Sequence, residues 1–274
     1  MSTLTLSRSG WQSAGGLIPA SWTRAIGLVC VGLVVPLGAV LLWSLSATYE
    51  WLPTQILPPL GDVGRAMAEM WQNGDLVAHT SISLQRVLFG FTLGALAGLS
   101  LGIAMGLSPT FEDYVKPLFS AVVQVPAIGW IPLLMLWLGI DEALKIVIIA
   151  KGAFVPMAWN TYSGIRNVPA AYIEVAKAFR FNRRQLLRKV ILPAAVPPIF
   201  TGIRYGLTHA WGALVAVELL ASSEGLGYLL VWGRQMFWLD VVLVAMILIG
   251  AIGFVMDTIL AALERRLQRW RFEP

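Results

Sequence analysis

Charge is scarce in this sequence. Of its 274 residues only 13% are Asp, Glu, Lys or Arg, against 57% hydrophobic ones, where soluble domains carry roughly 25% charged residues. That deficit excludes an ordinary water-soluble domain and points to a bilayer as the solvent. Cysteine is nearly absent: Cys30 stands alone in the first apolar run, so no disulfide framework or zinc cluster can form within one chain. No G-x-x-x-x-G-K-[ST] phosphate loop occurs, so the chain does not cradle ATP in that way. "GLSLG", Gly98 to Gly102, has the form of a hydrolase nucleophile elbow. That elbow needs a strand-to-helix turn, which a continuous apolar helix cannot supply, and only His79 and His209 could serve as a base. No catalytic, metal or cofactor site is expected in the chain.

What is present is a series of apolar runs long enough to span. The first, Ala25 to Ala47, follows Arg24 and exceeds the apolar core of a signal peptide, so it is expected to be retained as a span. Five more follow, approximately Ser81–Leu107, Val115–Leu138, Ala143–Ile165, Ala194–Ala221 and Phe237–Leu260. An all-α polytopic membrane protein with about six transmembrane helices is therefore expected. Pro36, Pro126, Pro132 and Pro156 interrupt these runs as bends, or as kinks beside a pathway. Trp43, Trp51, Trp232 and Trp238 near the span ends read as interfacial anchors.

The loops set the orientation. Segment 164–192 holds Arg166, Lys177, Arg180, Arg183, Arg184, Arg188 and Lys189 against one acid, Glu174, and the end of the chain adds Arg265, Arg266, Arg269 and Arg271. Segment 47–79 has one base, Arg65, against Glu50, Asp62, Glu69 and Asp75. Positive residues stay inside, which places both termini and the basic loop in the cytoplasm. The net charge of +5 sits at the ends of apolar runs, where headgroups and topology account for it, so no nucleic-acid partner is expected. The expected organisation is a cytoplasmic segment 1–24, a first transmembrane helix 25–47, and a periplasmic segment 48–80. A five-helix core 81–263 with a cytoplasmic loop 166–193, and a basic tail 264–274, complete it. Within 48–80, Gly61 to Asp75 reads as an amphipathic helix with Ala66, Met67, Met70 and Trp71 toward the membrane or the spans.

The basic loop carries more pattern than topology requires. In "EVAKAFRFNRRQLLRKVILP", Val175, Ala176 and Phe179 form one apolar stripe, and Leu186, Leu187, Val190 and Ile191 another. Asn182 between them suits a left-handed turn or an N-cap. Two short amphipathic helices joined by a sharp turn make a knob that fits another protein's groove.

This stretch resembles the EAA loop of permease subunits in bacterial ATP-binding-cassette importers: E-A-A, three residues, Gly, nine residues, I-x-L-P. Glu174, Ala176, Leu192 and Pro193 match at full spacing, Val175 and Val190 are conservative departures, and Arg180 stands at the Gly position. The resemblance extends over roughly Ile56 to Leu263, through "PLLMLWLGIDEALKI", "ILPAAVPPIFTGIRYGL" and "VAVELLASSEGLGYLL", and is nearest the branch serving aliphatic sulfonates, taurine or nitrate. It implies a type I importer permease fold in the bacterial inner membrane. It also implies a homodimer of permeases, two ATPase subunits that bind ATP and Mg, and a periplasmic or lipoprotein solute-binding protein. The docking knob would then comprise Glu174, Val175, Ala176, Phe179, Arg180, Asn182, Arg183, Arg184, Leu192 and Pro193, with Ala176 and its neighbours filling the ATPase groove. A positive φ at Arg180 would cost about 1–2 kcal/mol, unless the turn shifts to Asn182 or the side chain gains a contact.

Two further constellations stand out. Gly90, Gly94, Gly98, Gly102 and Gly106 recur every fourth residue, a smooth ridge for close helix packing inside the subunit or between copies. Of the ionisable residues inside spans, Arg86, Lys151, Arg204, Glu218 and Asp257, each should face a partner or water. Lys151, His209 and Glu218 are the candidates for a translocation pathway. Lys151 and Glu218 could instead form a structural ion pair, and His209 a packing contact. A self-sufficient secondary transporter would need broken-helix ion sites and usually an internal repeat, which is not found, and would leave the knob without a purpose. A membrane scaffold that merely recruits an ATPase is the other rival.

Overall fold

The computed structural model describes residues 20–49, 51–53 and 56–267, all of it helix and connecting turns. The segments 1–19 and 268–274, and with them most of the expected N-terminal segment and basic tail, lie outside the described residues. The chain divides into two compact units, the first ending at Leu60 and the second beginning at Gly61. In the first, α1 (Ala20–Thr48) continues through Pro36, and the Trp43 indole N–H donates to the Pro58 carbonyl at 2.9 Å.

The second unit opens with α2 (Leu60–Gln72), which buries Val63, Ala66 and Met70, while Met67 and Trp71 are exposed. The amphipathic stripe is thus rotated by about one residue from the expected face, with Val63 in place of Trp71. Next come α3 (Asp75–Leu107), α4 (Pro109–Gln124), a 3-10 turn (Ala127–Trp130), α5 (Ile131–Leu138) and α6 (Glu142–Arg166). After them, α7 (Ala170–Ala178) and the four-residue α8 (Arg183–Leu186) lead through a π segment (Leu187–Ile191) into α9 (Leu192–Ala221), followed by α10 (Leu226–Gln235) and α11 (Leu239–Leu267).

The expected span over Val115–Leu138 is broken far more sharply than a bend. It is a pair of helices bent by 90° at Val125–Pro126. Pro126 cannot donate, and its ring disfavours α-geometry at Val125, which is extended with φ −86° and ψ 114°. Pro156, by contrast, stays inside α6. Three described helices are long and apolar enough to cross a membrane unbroken: α3, the continuous run Arg183–Ala221, and α11. The bent pair makes a fourth among the described residues. Among the rest, α6 is about 37 Å long by helical rise, yet carries Lys145 and Lys151. Its polarity is tolerated because α3 lies against one side of it and α9 against another.

The glycine ridge explains this core, and it lies inside the subunit. All five glycines of α3 are buried against α6, and their contacts advance together, Gly90 with Ile149, Gly98 with Met157 and Gly106 with Ile165. The two helices are therefore parallel, joined by the α4–α5 crossover. A β-carbon at Gly98 would lie 2.9 Å from the Met157 β-carbon, and one at Gly102 2.6 Å from the Ala158 carbonyl oxygen. The backbones are nearly in contact, as small-residue ridges allow in lipid. On the other side, Gly152 meets His209 and Ala213 while Gly164 meets Pro198, so α9 runs antiparallel to α6.

Gly98→Leu is expected to cost the solubilised protein about 1–3 kcal/mol by overpacking, read from its thermal unfolding. Gly250→Ala, with open space at its β-position, is expected to change nothing measurable.

Candidate docking knob and the two polar ends

At the end of α6, the chain turns out of the helical core into α7. Three hydrogen bonds close α7: Phe179 N–H to the Val175 carbonyl (3.1 Å), Arg180 N–H to Lys177 (2.9 Å) and Phe181 N–H to Ala176 (3.0 Å). The last two are the paired bonds of a Schellman motif, whose C′ residue must be left-handed. That residue is Arg180, with φ 54°. The positive φ has therefore not moved to Asn182, which instead caps α8. The Asn182 side-chain oxygen accepts from Gln185 N–H at 2.8 Å, and Asn182 N–H donates to the Gln185 side chain at 2.9 Å, a reciprocal capping box.

The knob is thus locked by local backbone geometry, and its outer surface is left bare. Glu174, Val175, Phe179, Arg180, Asn182, Arg183, Arg184 and Pro193 are exposed and Leu192 is partly buried. Ala176 departs from expectation: at 3% exposure it is inside the knob and cannot fill a partner's groove. Its small side chain sits where the returning chain bonds to its carbonyl. The Phe179 and Phe181 rings lie 6.5 Å apart, and the Lys189 ammonium sits 5.5 Å from the Phe181 ring, tying the base of α9 to the turn. The π segment precedes Pro193, and its widened turn is the geometry that relieves a proline ring's clash with the fourth carbonyl before it.

A second polar cluster at this end was not singled out in the sequence. Glu112, near the start of α4, accepts from Lys116 at 3.0 Å and from the Tyr162 hydroxyl, and pairs with Arg166 at 2.6 Å. It ties α4 to the last turn of α6, beside the knob's root.

The opposite end of the unit holds a buried ionic network. Arg86 donates twice to Glu142, from Nε at 2.8 Å and a terminal nitrogen at 2.6 Å. Its other terminal nitrogen reaches Glu218 at 2.9 Å and the Glu224 carbonyl at 2.8 Å. Glu218, 1% exposed, also accepts from Ser83 and from Gly227 N–H at 2.9 Å. Gly225 N–H donates to His79 Nδ1 at 2.9 Å and Leu226 N–H to the Ser83 hydroxyl at 2.9 Å. The strap 222–227 thus brings three backbone N–H groups and the Glu224 carbonyl to this site, each with a partner, the condition for tolerating buried charge. Glu218 is a pin among α3, α6, α9 and the strap. The anticipated Lys151–Glu218 pair is not formed, because Arg86, one helix nearer, takes the carboxylate.

Lys151 lies elsewhere, its Nζ donating to the Val125 carbonyl at 2.8 Å and standing 5.6 Å from the Trp130 ring centroid. His209 is exposed on α9 rather than packed. Arg204 and Asp257 form a bidentate pair at 2.7 and 2.8 Å between α9 and α11.

These features coincide with what the chain is similar to. Residues 90–269 match the family described as binding-protein-dependent transport system inner membrane component. The chain belongs to that family. It is the permease subunit of an ABC importer, and its relatives of that kind are permeases rather than enzymes. It is 38% identical over 240 residues, 88% of this chain and 87% of the other, to SsuC of Bacillus subtilis (strain 168), named as an aliphatic sulfonates transport permease. TauC of Escherichia coli (strain K12), a taurine transport system permease protein, is 36% identical over 92% of this chain and 90% of its own. CmpB of Synechococcus elongatus, a bicarbonate transport system permease protein, is 34% identical over 70% and 69%. Among solved structures, the inward-facing MetNI methionine ABC transporter superposes with a TM-score of 0.62, at 18% identity, over 73% of this chain and 98% of that one. The fold is therefore that of ABC importer permeases.

Two outcomes follow from the geometry. Arg180→Gly is expected to raise hydrogen-exchange protection of the Arg180 and Phe181 amides about fivefold, by removing roughly 1 kcal/mol of left-handed strain. Glu218→Ala is expected to cost about 3–5 kcal/mol in unfolding experiments, since it strands one donor of a buried Arg86.

Proposed function

We propose that this permease imports a small organic oxyanion, an aliphatic sulfonate or taurine first, and that ATP hydrolysis on separate subunits drives it through the 170–193 knob. The observation that carries this reading is the knob itself: a turn closed by backbone hydrogen bonds, with Phe179 three-quarters exposed and Arg180, Arg183 and Arg184 exposed along the same short segment. An exposed aromatic on a preorganised turn is the residue type that dominates interface energetics. The surrounding guanidinium groups supply electrostatic complementarity to an acidic groove rim. Family membership speaks for ATPase and binding-protein partners in general. The specific assembly, two copies of this chain, two ATPases holding Mg-ATP and one periplasmic or lipoprotein solute-binding protein, is part of the proposal.

The charge asymmetry of the loops supports an orientation with the knob, both termini and the tail 264–274 in the cytoplasm, and with segment 48–80 in the periplasm. In this arrangement the first span 25–47 precedes the core 81–263. Closure of the ATPases on ATP draws the paired knobs together and opens the spans outward to receive solute. Hydrolysis and release of the clamp return them inward. Glu174, exposed in mid-α7, orients the knob in its groove, while Ala176 acts by letting the turn close.

The solute class rests on the relatives. Those named for sulfonates, taurine and bicarbonate share an oxyanion head, so the head is the constant and the remainder varies. Nitrate has the same chemistry and stands as the alternative.

Phe179→Asp tests the docking. It leaves the buried core untouched, and is expected to abolish co-purification of the ATPase and to lower ATP-driven uptake by at least tenfold, the loss of an interface hot spot. Undiminished uptake, or uptake that follows an imposed ion gradient without ATP, would remove the reading. Growth of a deletion strain on taurine or alkanesulfonate as sole sulfur source, beside nitrate as sole nitrogen source, separates the solutes.

A further inference from the structure

Among the described residues, charges deep inside the helices come in pairs, with one exception. Of the charged side chains two or more turns inside a described helix, Arg86, Lys116, Arg204 and Asp257 each sit in an ion pair. Lys151 does not. It is the tenth of 25 residues in α6, about 14 Å from that helix's start, and is half-buried. Its one hydrogen bond goes to the Val125 carbonyl, and the Trp130 ring flanks it. An unpaired charge at such depth costs about 2.5–3.5 kcal/mol even on insertion scales, so it marks water or a counter-charge that arrives from outside the chain.

The surroundings are arranged for the second. The bent segment forms a roof: Ile131 packs with Leu144 and Ile148 of α6 and with Ala213, Val217 and Ala221 of α9, and Ala127 and Trp130 lie against that cluster. The roof closes the groove between α6 and α9 from the Glu142 end down to the level of Ile148, and Lys151 lies one turn below. At that same level the two helices meet, since a β-carbon on Gly152 would stand 3.0 Å from the His209 carbonyl oxygen. His209 thus lies at this helix contact, and Lys151 one residue before the Gly152 that makes it. The His209 side chain is exposed with no hydrogen bond to any described residue, and Gly212, three residues on, has nothing within 4 Å of its β-position. Tyr205, one turn before His209, is 56% exposed. Tyr205, His209 and Gly212 make a polar and open stripe on the outside of α9, and lipid gives no reason for it.

We propose that Lys151 and His209 form a mid-membrane cradle for the oxyanion head of the solute, roofed by the 125–131 bend. The inference rests on the importer reading above and deepens it by locating where the solute is held during passage. The ammonium of Lys151 exchanges its bond to the Val125 carbonyl for the incoming oxyanion, and the imidazole donates a second bond. Because Val125 is the last residue before Pro126, the same exchange releases the carbonyl that Lys151 holds at the bend. Solute occupancy and the roof are thereby linked through one side chain. The class selected is a head of several oxygens that share one negative charge.

The test uses the complete complex in liposomes, with taurine and propanesulfonate as the probes, and with co-purification of the ATPase as the check on assembly. Lys151→Gln keeps a donor for the Val125 carbonyl and removes the charge, and is expected to cut ATP-driven uptake of both probes about tenfold or more, the loss of one charge-assisted bond. Lys151→Arg is expected to restore most of it. His209→Ala is expected to lower uptake by about threefold to tenfold, and to add less than its own effect on top of Lys151→Gln, as neighbours in one site do. Wild-type uptake by Lys151→Gln would overturn the cradle, since Lys151 would then be only a cap for the bend. Full additivity of the two changes would overturn it as well. Should Lys151→Gln fail to assemble, His209→Ala on the exposed face, which removes the second donor, decides: unchanged uptake overturns the cradle, and a loss supports it. A wild-type complex that hydrolyses ATP and carries no anion overturns the solute assignment of the preceding section, an outcome distinct from any of these.

Discussion

Everything in the core is referred to one contact, the backbone-against-backbone seam between α3 and α6. In lipid the hydrophobic effect gives two helices no reason to prefer each other over acyl chains, so association depends on packing and on satisfied polar groups. Five glycines in register supply the packing by removing every side chain that would hold the backbones apart. With α3 on one side and α9 on the other, α6 is withdrawn from the bilayer and is free to carry lysines. The ionic pin at Arg86, Glu142 and Glu218 joins the same three helices at one end. At the other, Glu112 and Arg166 anchor α4. The seam sets the frame, and the polar clusters fasten its ends.

That division also separates what was readable in the amino-acid sequence from what was not. Periodicity is a property of one helix, so the glycine ridge, the long spans and the two stripes of the knob were legible. Which surface the ridge meets is a property of two helices, and the sequence left open whether it lay inside the subunit. The same holds for the charges: Glu218 was correctly marked as needing a partner, but Arg86 was chosen by helix order in space, which spacing does not reveal. Ala176 shows the converse. Its place in a motif suggested an exposed contact, whereas its burial follows from a Schellman turn whose return bond comes to the Ala176 carbonyl.

The bend at Pro126 was legible only in part. Its residue was identified, but a proline inside an apolar run gives either outcome: Pro156 is absorbed in α6, while Pro126 turns the chain by 90°. At the bend the Val125 carbonyl is taken up by Lys151 from another helix, and such a donor is invisible to local pattern. Arg180 is a further case, since a left-handed non-glycine residue persists only where its surroundings over-determine it.

The path from Arg183 to Ala221 is helical without interruption, a rod of 39 residues, about 58 Å by helical rise. Its foot belongs to the knob and its head ends at the strap 222–227. A rotation imposed at the foot is carried along this rod to its head, as a key turns its bit, with the π segment and the pair Pro197 and Pro198 as the places of torsional give. Communication across the whole thickness of the membrane then needs no chain of side-chain rearrangements, only a stiff shaft held in two bearings.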